Sequence, residues 1–289
     1  MLQDILITGL VTGGVYALLA IGFSLVFGVA RIVNIAHTAF YMLAAYAFYV
    51  ALTVLELPLL LAVALAIGTV TALSVICYRL VIAPIRQHES AVLIATIALA
   101  LIFQESLLLT FGGHFLGIPA AVEGYASLLG VRVSNQRLVV LAVVAVALVV
   151  TWYALYRTRF GLAVRATAND LEIANLMGID VGRIAMLTVA ASVALAAIAG
   201  VVVAPVFVVD PLMWLSPLVS VLAIVVLGGL GSLRGSLAGA FILGYVEAIT
   251  VFAVPAGAFL KNGVSLSIMI VVLLLRPEGL FGVAFEEER

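Results

Sequence analysis

Four side chains in this sequence belong to the types that most often hold metals or act as catalysts: His37, His88, His114 and Cys77. They occur singly, without the short fixed spacings, such as His-Glu-x-x-His, that place two ligands on one metal ion. A lone cysteine also excludes an internal disulfide. The sequence therefore predicts no metal centre, and Cys77 is interpreted as a packing residue.

Two common catalytic motifs are also missing. The sequence contains neither a Gly-x-Ser-x-Gly nucleophile turn nor a Gly-x-x-x-x-Gly-Lys-Ser/Thr phosphate loop, and Lys261 is its sole lysine. The chain therefore cannot bind ATP through a loop of that kind. An enzyme inside a membrane would need a nucleophile and a base facing each other, and no such pair is evident. We predict a non-catalytic chain that binds no cofactor.

Glu105 and Glu247 are acidic side chains inside otherwise apolar segments. An unpaired charge in the middle of a bilayer costs about 2.5 to 3.5 kcal/mol on insertion scales, so we expect both to have partners. Each is either a structural hydrogen-bonded or ion-paired contact, or a polar lining of a transport pathway near its outer mouth. A proton relay is the third alternative.

Asn34, His37 and Thr38 follow Arg31 near the start of a long apolar segment. Asn and His are poor helix formers, and all three side chains offer uncharged hydrogen-bonding groups. They mark either a helix break that lines a pathway or an ordinary interfacial helix start.

The segment from Gly228 to Gly235 contains four glycines, and Gly228, Gly229 and Ser232 are its candidate pathway residues. Small residues allow close helix–helix packing in membranes. A broken backbone is the alternative, and it is tolerated at depth only against protein or a cavity. Because the glycines are denser than packing requires, we favour a broken helix here.

The elements that position these residues are predicted from composition. Of 289 residues, 66% are hydrophobic and 9% are charged, whereas soluble domains carry about 25% charged residues. Long apolar runs without alternation exclude a barrel and predict an all-α polytopic transmembrane helical bundle, with broken helices among its passes.

The first run lacks a basic leader and a cleavage site, so we expect a retained helix. Nine passes are predicted, at residues 5–29, 34–55, 58–78, 90–111, 137–156, 185–208, 214–230, 236–254 and 262–275.

The basic residues predict the orientation, because cytoplasmic loops are rich in Lys and Arg. With the amino terminus outside and the carboxyl terminus cytoplasmic, ten of the thirteen basic residues lie inside. The inside set is Arg31, Arg79, Arg86, Arg157, Arg159, Arg165, Arg183, Arg234, Arg276 and Arg289, and the outside set is Arg132, Arg137 and Lys261.

The inner interval 157–183 is too polar to span a membrane, yet it contains a short apolar pattern around Ala174. Asp170 is a suitable helix N-cap and Gly178 a suitable stop, which together predict a short amphipathic helix along the inner face. Residues 1–289 are therefore interpreted as a single transmembrane domain in which 157–183 forms a cytoplasmic docking loop. No basic block or RNA-binding motif is present, so nucleic acid is not expected as a partner.

Four segments together resemble the LivH-type permeases of branched-chain, or hydrophobic, amino acid ABC importers. They are Gly13 to Phe23 running on to Asn34–His37, then Asn169 to Ile179, Gly228 to Gly239, and Arg276 to Gly282. The resemblance implies a bacterial inner-membrane importer with a second homologous permease subunit, two cytoplasmic ATPase subunits that bind ATP and Mg, and a periplasmic or extracellular substrate-binding protein. This chain would be one permease.

The resemblance also implies which residues couple the chain to the ATPase. Permeases of ABC importers often carry a Glu-Ala-Ala-x-x-x-Gly element that docks in a groove of the ATPase, and here Ile173 replaces its central Ala. The implied coupling residues are Arg165, Asp170, Glu172, Ala174, Gly178 and Ile179.

Alternatives to this function remain. Related permeases handle urea, short amides or aromatic acids, and the sequence does not separate these substrates. An ion-coupled secondary transporter would work without an ATPase and would depend on Glu105 or Glu247.

Overall fold

The first apolar run forms a single helix, α1 (Leu2–Ala30), in which every residue from Gly13 to Val26 is buried. At about 1.5 Å per residue it is longer than the ~30 Å hydrocarbon core of a bilayer. The structure, a computed structural model, describes residues 2–128, 131–276 and 279–281. Other helices surround α1, so its small residues lie at the centre of the bundle.

The remaining elements are mostly helices. They are α2 (His37–Tyr49), which continues as a π-helical turn (Val50–Val54), α3 (Leu59–Cys77), which continues through a second π-helical turn (Tyr78–Ile82) into α4 (Ala83–Ile85), α5 (Glu89–Phe111), β1 (Tyr125–Leu128), β2 (Val131–Ser134), α6 (Asn135–Arg157), α7 (Arg159–Asn169), α8 (Leu171–Leu176), α9 (Val181–Val203), α10 (Leu215–Gly228), α11 (Leu233–Ala253) and α12 (Gly257–Leu275).

The predicted helical bundle is confirmed. Over the described residues, eight helical stretches are long and apolar enough to cross a membrane. The remaining predicted pass, 214–230, corresponds to α10, which has 14 residues and is shorter than a full span. The chain before it, from 204 to 214, consists of turns and irregular backbone that end at Trp214.

The interval 112–136, which connects the predicted passes 90–111 and 137–156, contains a small antiparallel hairpin. Strand β1 pairs with β2 from Tyr125 opposite Ser134 to Leu128 opposite Val131. The same loop is joined to the 204–214 segment by a β-bridge between Leu116 and Val209. The strands are too short for apolar alternation to identify them in the sequence, and they satisfy backbone groups that a structureless loop would leave unpaired.

Contacts between loops divide the bundle into two faces. Gly28, at the end of α1, lies beside Gly231, and Arg31 donates from Nη2 to the carbonyl oxygen of Ala168 over 3.1 Å. The Leu116–Val209 bridge lies on the opposite face. The face that holds Arg31, Ala168 and Gly231 is called here the arginine-rich face, because Arg157, Arg159, Arg183 and Arg234 also lie at helix ends on this side and Arg165 lies within α7.

Candidate functional site

The glycine-rich segment forms a break between two helices. Residues 229–232, called here the glycine break, separate α10 from α11. Gly229 and Gly231 have φ values of +94° and +81°, a region that favours glycine. Ser232 then begins α11, because its hydroxyl oxygen accepts a hydrogen bond from the Gly235 N–H over 3.1 Å. The break therefore depends on backbone conformations that the sequence provides.

The same segment also packs closely. Both interpretations of its glycines, a broken helix and close helix–helix packing, therefore apply. A Cβ on Gly235 would collide with the carbonyl oxygen of Gly228. A Cβ on Gly239 would lie 2.9 Å from the Ile224 carbonyl oxygen. Helices α10 and α11 thus leave the break in backbone contact, which only small residues permit.

The described residues of the carboxyl-terminal motif pair with the end of α10. The Leu280 N–H donates to the Leu227 carbonyl oxygen over 2.8 Å, and the Phe281 N–H donates to that of Gly228 over 3.2 Å. The last carbonyls of a helix lack partners within it, and these bonds supply them. Two of the four segments that carry the family resemblance, Gly228 to Gly239 and Arg276 to Gly282, are therefore in direct contact. Pro277, Glu278 and Gly282 of this motif lie outside the described residues.

His37 is fully buried at the start of α2. Its Nε2 lies 3.0 Å from the Leu19 carbonyl oxygen, and its Nδ1 lies 3.2 Å from the Ser192 hydroxyl. Because a carbonyl only accepts, Nε2 carries the proton and Nδ1 accepts from Ser192. A Cβ at Gly22 would lie 2.9 Å from the ring, so the glycine makes room for it. His37 links α1, α2 and α9, which favours a structural role.

Asn34 and Thr38 are also buried, but they lack partners. Among the described residues, nothing hydrogen-bonds to Asn34 Nδ2 or Oδ1, or to Thr38 Oγ1. Burying an unsatisfied polar group costs about 1–3 kcal/mol. Asn34 precedes α2 and Thr38 lies in its first turn, and both side chains have hydrogen-bonding capacity that the described residues do not use. Of the three predicted residues at this helix start, these two remain candidates for the pathway.

Glu247 is buried and accepts three hydrogen bonds. Its Oε2 accepts from the Tyr16 hydroxyl over 2.8 Å, and its Oε1 accepts from Ser220 and Ser265 over 2.7 and 2.8 Å. The carboxylate on α11 thereby joins α1, α10 and α12. Glu247 has the partners expected from the cost of burying a charge, and its geometry favours the structural interpretation. The sequence analysis did not identify Tyr16, Ser220 and Ser265 as its partners. Their one indication in the sequence is that each places a hydroxyl within an apolar segment.

Glu105 has a different environment. It is exposed on α5 and accepts from Gln104 Nε2 over 3.1 Å, while Gln104 Oε1 accepts from the Trp214 indole N–H over 2.9 Å. The neighbouring Leu101 and Leu109 are exposed as well. This acid therefore faces outward from the chain in a helix whose surroundings are apolar.

The predicted docking helix is α8. Asp170 Oδ1 accepts from the N–H groups of Glu172 and Ile173 over 2.8 and 2.9 Å, and Gly178 ends the helix with a φ of +83°. The Ile179 N–H donates to the Ala174 carbonyl oxygen over 3.0 Å, which closes the turn. Both predicted ends of the helix are confirmed.

The interval 157–183, predicted to be a docking loop, contains a second helix that the sequence analysis missed. Helix α7 begins at a Thr158 cap, whose hydroxyl oxygen accepts from the Gly161 N–H over 3.1 Å. Val164 and Thr167 are buried on its inner side. Arg165 lies on α7 rather than α8, and its guanidinium carbon is 5.0 Å from the centroid of the Tyr156 ring. The arginines at 157, 159 and 165 made this stretch look like a polar loop, so its helical spacing of apolar residues was not recognised.

These features define a polytopic helical membrane protein with polar groups buried between its helices and a helical loop on its arginine-rich face. Within the part of the chain that the structure describes, no group of three or more His, Cys, Asp or Glu side chains could hold a metal ion.

Residues 5–273 match the family described as branched-chain amino acid transport system / permease component. The chain belongs to this family, which confirms the resemblance of its motifs and the prediction of a non-catalytic permease subunit of the ABC transporter type.

Named relatives cover nearly the whole chain. It is 31% identical over 292 residues to the high-affinity branched-chain amino acid transport system permease protein BraD of Pseudomonas aeruginosa, covering 96% of this chain and 94% of BraD. It is 29% identical over 289 residues to LivH of Escherichia coli strain K12, with 95% and 93% covered. A probable LivH of Methanocaldococcus jannaschii is 28% identical, with 93% and 89% covered.

A solved structure shares the fold. PsaBC from Streptococcus pneumoniae, in complex with Fab, superimposes with a TM-score of 0.53 and 16% identity, covering 95% of this chain and 92% of that chain. At this identity the similarity shows the fold alone.

Proposed function

We propose that this chain is the permease subunit of an ATP-driven importer that moves branched-chain or other hydrophobic amino acids across the bacterial inner membrane by alternating access. The observation that carries the proposal is the exposed apolar tip of α8 on the arginine-rich face. Ile173, Leu176 and Met177 are 59%, 85% and 79% exposed there. The names of BraD and LivH support the choice of substrate.

The orientation follows from the distribution of basic residues. Helix-end arginines on the face that holds α8 support a cytoplasmic position for that face under the positive-inside rule. Water would then surround the end of α8, and three large exposed apolar side chains within the five residues from Ile173 to Met177 are costly there. A groove on a cytoplasmic ATPase subunit would cover them.

The connections of α8 suit it for transmitting movement. It follows α7 directly, with the Asp170 N–H donating to the Ala166 carbonyl oxygen over 3.1 Å. After Gly178, Asp180 caps α9 by accepting from the Arg183 N–H over 2.9 Å. A rigid-body shift of α8 on ATP binding would thus act on two helices that contact the central α1.

The pathway would use polar groups that have no hydrogen-bond partner among the described residues. Asn34 and Thr38 offer neutral hydrogen-bonding groups, and Glu105 places an acid near the outer mouth, where a second, homologous permease subunit and the external binding protein would meet the chain. The outward-facing carboxylate of Glu105 is disfavoured against lipid. A polar pathway between two permease subunits would remove that cost.

The test is affinity purification of the chain from its native membrane in mild detergent, followed by reconstitution into liposomes. We expect two ATPase subunits and a second permease to co-purify, and the complex to take up leucine only with ATP and the external binding protein. Preference for urea, short amides or aromatic acids over leucine would reassign the substrate within the family. Uptake by the chain alone without ATP would overturn the proposal.

A further inference from the structure

The arginine-rich face contains a cavity of about 360 Å³ between α1, α6, α7 and the glycine break. Its polar lining comes from Arg165, Arg234, Ser24, Asn169 and Ser232. None of the described residues that line it is acidic. The cavity therefore presents two positive charges that its own described walls do not neutralise.

A neighbouring cavity on the same face has a different balance of basic and acidic lining residues. This space of about 480 Å³ lies beside α8, and there Arg31 and Arg86 are accompanied by Glu89, Glu172 and Asp180. Its arginines have acids of the same chain as neighbours. The first cavity thus differs in the chemistry it would accept, since an anion from outside the chain would balance its charge.

The wall of the first cavity holds one of its two arginines in place. The Arg165 guanidinium lies over the Tyr156 ring, and its Nε donates to the Gly161 carbonyl oxygen over 3.3 Å. Arg234 is part of α11, whose start is fixed by Ser232. Side chains that are ordered before binding lose less entropy when a ligand arrives, so Arg165 is preorganised for an anion, whereas the exposed Arg234 is placed only by its position at the start of α11.

Aromatic side chains indicate the depth of the cavity in the membrane. Trp152 and Tyr153 are 54% and 58% exposed near the end of α6, next to the cavity-lining Tyr156. Exposed Trp and Tyr collect at the headgroup level of a bilayer. Nearer the middle of the same helix, Val146 and Val149 are exposed, as apolar residues of a lipid-facing helix are. The cavity is therefore at headgroup level, beside the lipid.

We propose that this cavity binds the phosphate group of an anionic phospholipid of the cytoplasmic leaflet. Arg165 and Arg234 pair with the phosphate oxygens, and Asn169 donates a neutral hydrogen bond. Leu25, Val29, Val164 and Leu233 line the apolar part of the cavity, which accommodates the glycerol and the first acyl carbons. Basic pockets between transmembrane helices on the cytoplasmic side bind anionic headgroups in this way. The lipid bridges α1, α6, α7 and the start of α11, whichever substrate is transported.

The experiment compares binding of phosphatidylglycerol and phosphatidylcholine to the full-length chain in detergent, by native mass spectrometry. A second arm adds inorganic phosphate as a competitor. The test variant is the double substitution Arg165→Gln/Arg234→Gln, and Arg165→Lys/Arg234→Lys preserves the charge. The matched control, Arg86→Gln/Arg183→Gln, removes the same charge from the same face. Size-exclusion chromatography of each variant selects folded protein before the measurement.

The wild-type, control and lysine chains should retain phosphatidylglycerol in preference to phosphatidylcholine. The glutamine variant should bind phosphatidylglycerol about 30-fold more weakly, the contribution expected from two basic residues at about 1 kcal/mol each near an anionic headgroup. Equal retention by the glutamine and control variants would overturn the proposal. Displacement of the lipid by millimolar inorganic phosphate would assign the cavity to a soluble anion instead. Loss of ATPase co-purification with unchanged lipid retention would assign the arginines to docking.

Discussion

The Tyr16 hydroxyl donates a 2.8 Å hydrogen bond to the Glu247 carboxylate, 231 residues further along the chain. Both side chains are buried, at 5% and 3% exposure. The same carboxylate accepts from hydroxyls on α10 and α12. One acid therefore holds four helices together.

Replacing Tyr16 by Phe should destabilise the folded chain. Hydrogen bonds to charged groups contribute about 1.5–3 kcal/mol, and the substitution removes one of the three that Glu247 accepts. Thermal unfolding in detergent, followed by size-exclusion chromatography, measures the change. Tyr153→Phe is the control, because Tyr153 is 58% exposed and its loss of a hydroxyl should leave the unfolding temperature unchanged. Equal unfolding temperatures for Tyr16→Phe and wild type would refute the role of this bond.

Gly235→Ala should strongly reduce the yield of folded protein. In an isolated helix this change is favourable by about 1 kcal/mol, but here the added Cβ collides with the Gly228 carbonyl oxygen. Gly263→Ala is the matched control, since no atom lies within 4 Å of the Cβ it adds. Fluorescence-detected size-exclusion chromatography of both variants gives the comparison. Two monodisperse peaks of equal height would show that the backbone contact at the break is dispensable.

The pair of substitutions Leu176→Ser/Met177→Ser should abolish ATP-driven uptake without lowering the amount of inserted chain. These side chains are exposed and support no core, so the loss would arise from weaker docking of an ATPase subunit. Uptake and co-purification of the ATPase, measured together in proteoliposomes, test this. Val122→Ser, an exposed apolar residue on the opposite face, serves as the control. Normal uptake in the double variant would contradict the docking role of α8.

Glu105→Gln should lower uptake several-fold while folding is unaffected, because the carboxylate faces outward and makes a single described contact to Gln104. The Michaelis constant for leucine and the unfolding temperature are the two readouts. Glu123→Gln, exposed in the loop before the hairpin, should leave both unchanged. Wild-type uptake by Glu105→Gln would remove this acid from the pathway.

Thr38→Val should stabilise the chain and slow transport at the same time. The Thr38 hydroxyl is buried without a partner among the described residues, so removing it recovers about 1–3 kcal/mol. We expect slower transport because Thr38 is a candidate pathway residue whose hydroxyl would bind the polar part of the substrate. Thr188→Val is the control, because its hydroxyl donates to the Ile184 carbonyl oxygen over 2.8 Å and its loss should not stabilise. A destabilised Thr38→Val variant would show that the hydroxyl has a partner in the complete assembly.

The class of the protein, the helical passes and the ends of α8 could be predicted from the sequence. Uninterrupted apolar runs permit few structures other than spanning helices, because a bilayer offers no partners for free backbone groups. Asp170 and Gly178 determine where α8 begins and ends through local hydrogen bonding and backbone conformation. These features depend on neighbouring residues alone.

The partners of Glu247, the close contact of Gly228 with Gly235 and the cavity between Arg165 and Arg234 were decided by the tertiary structure. Lipid tails are as apolar as a packed protein interior, so both the lipid-facing and the protein-facing sides of a spanning helix are apolar. The sequence therefore carries little periodicity from which the packing partner of each helix face could be predicted. The sequence determined that the helices exist and where most of them end. Only their packing brought these groups together, through contacts such as the one between Tyr16 and Glu247, which lie 231 positions apart.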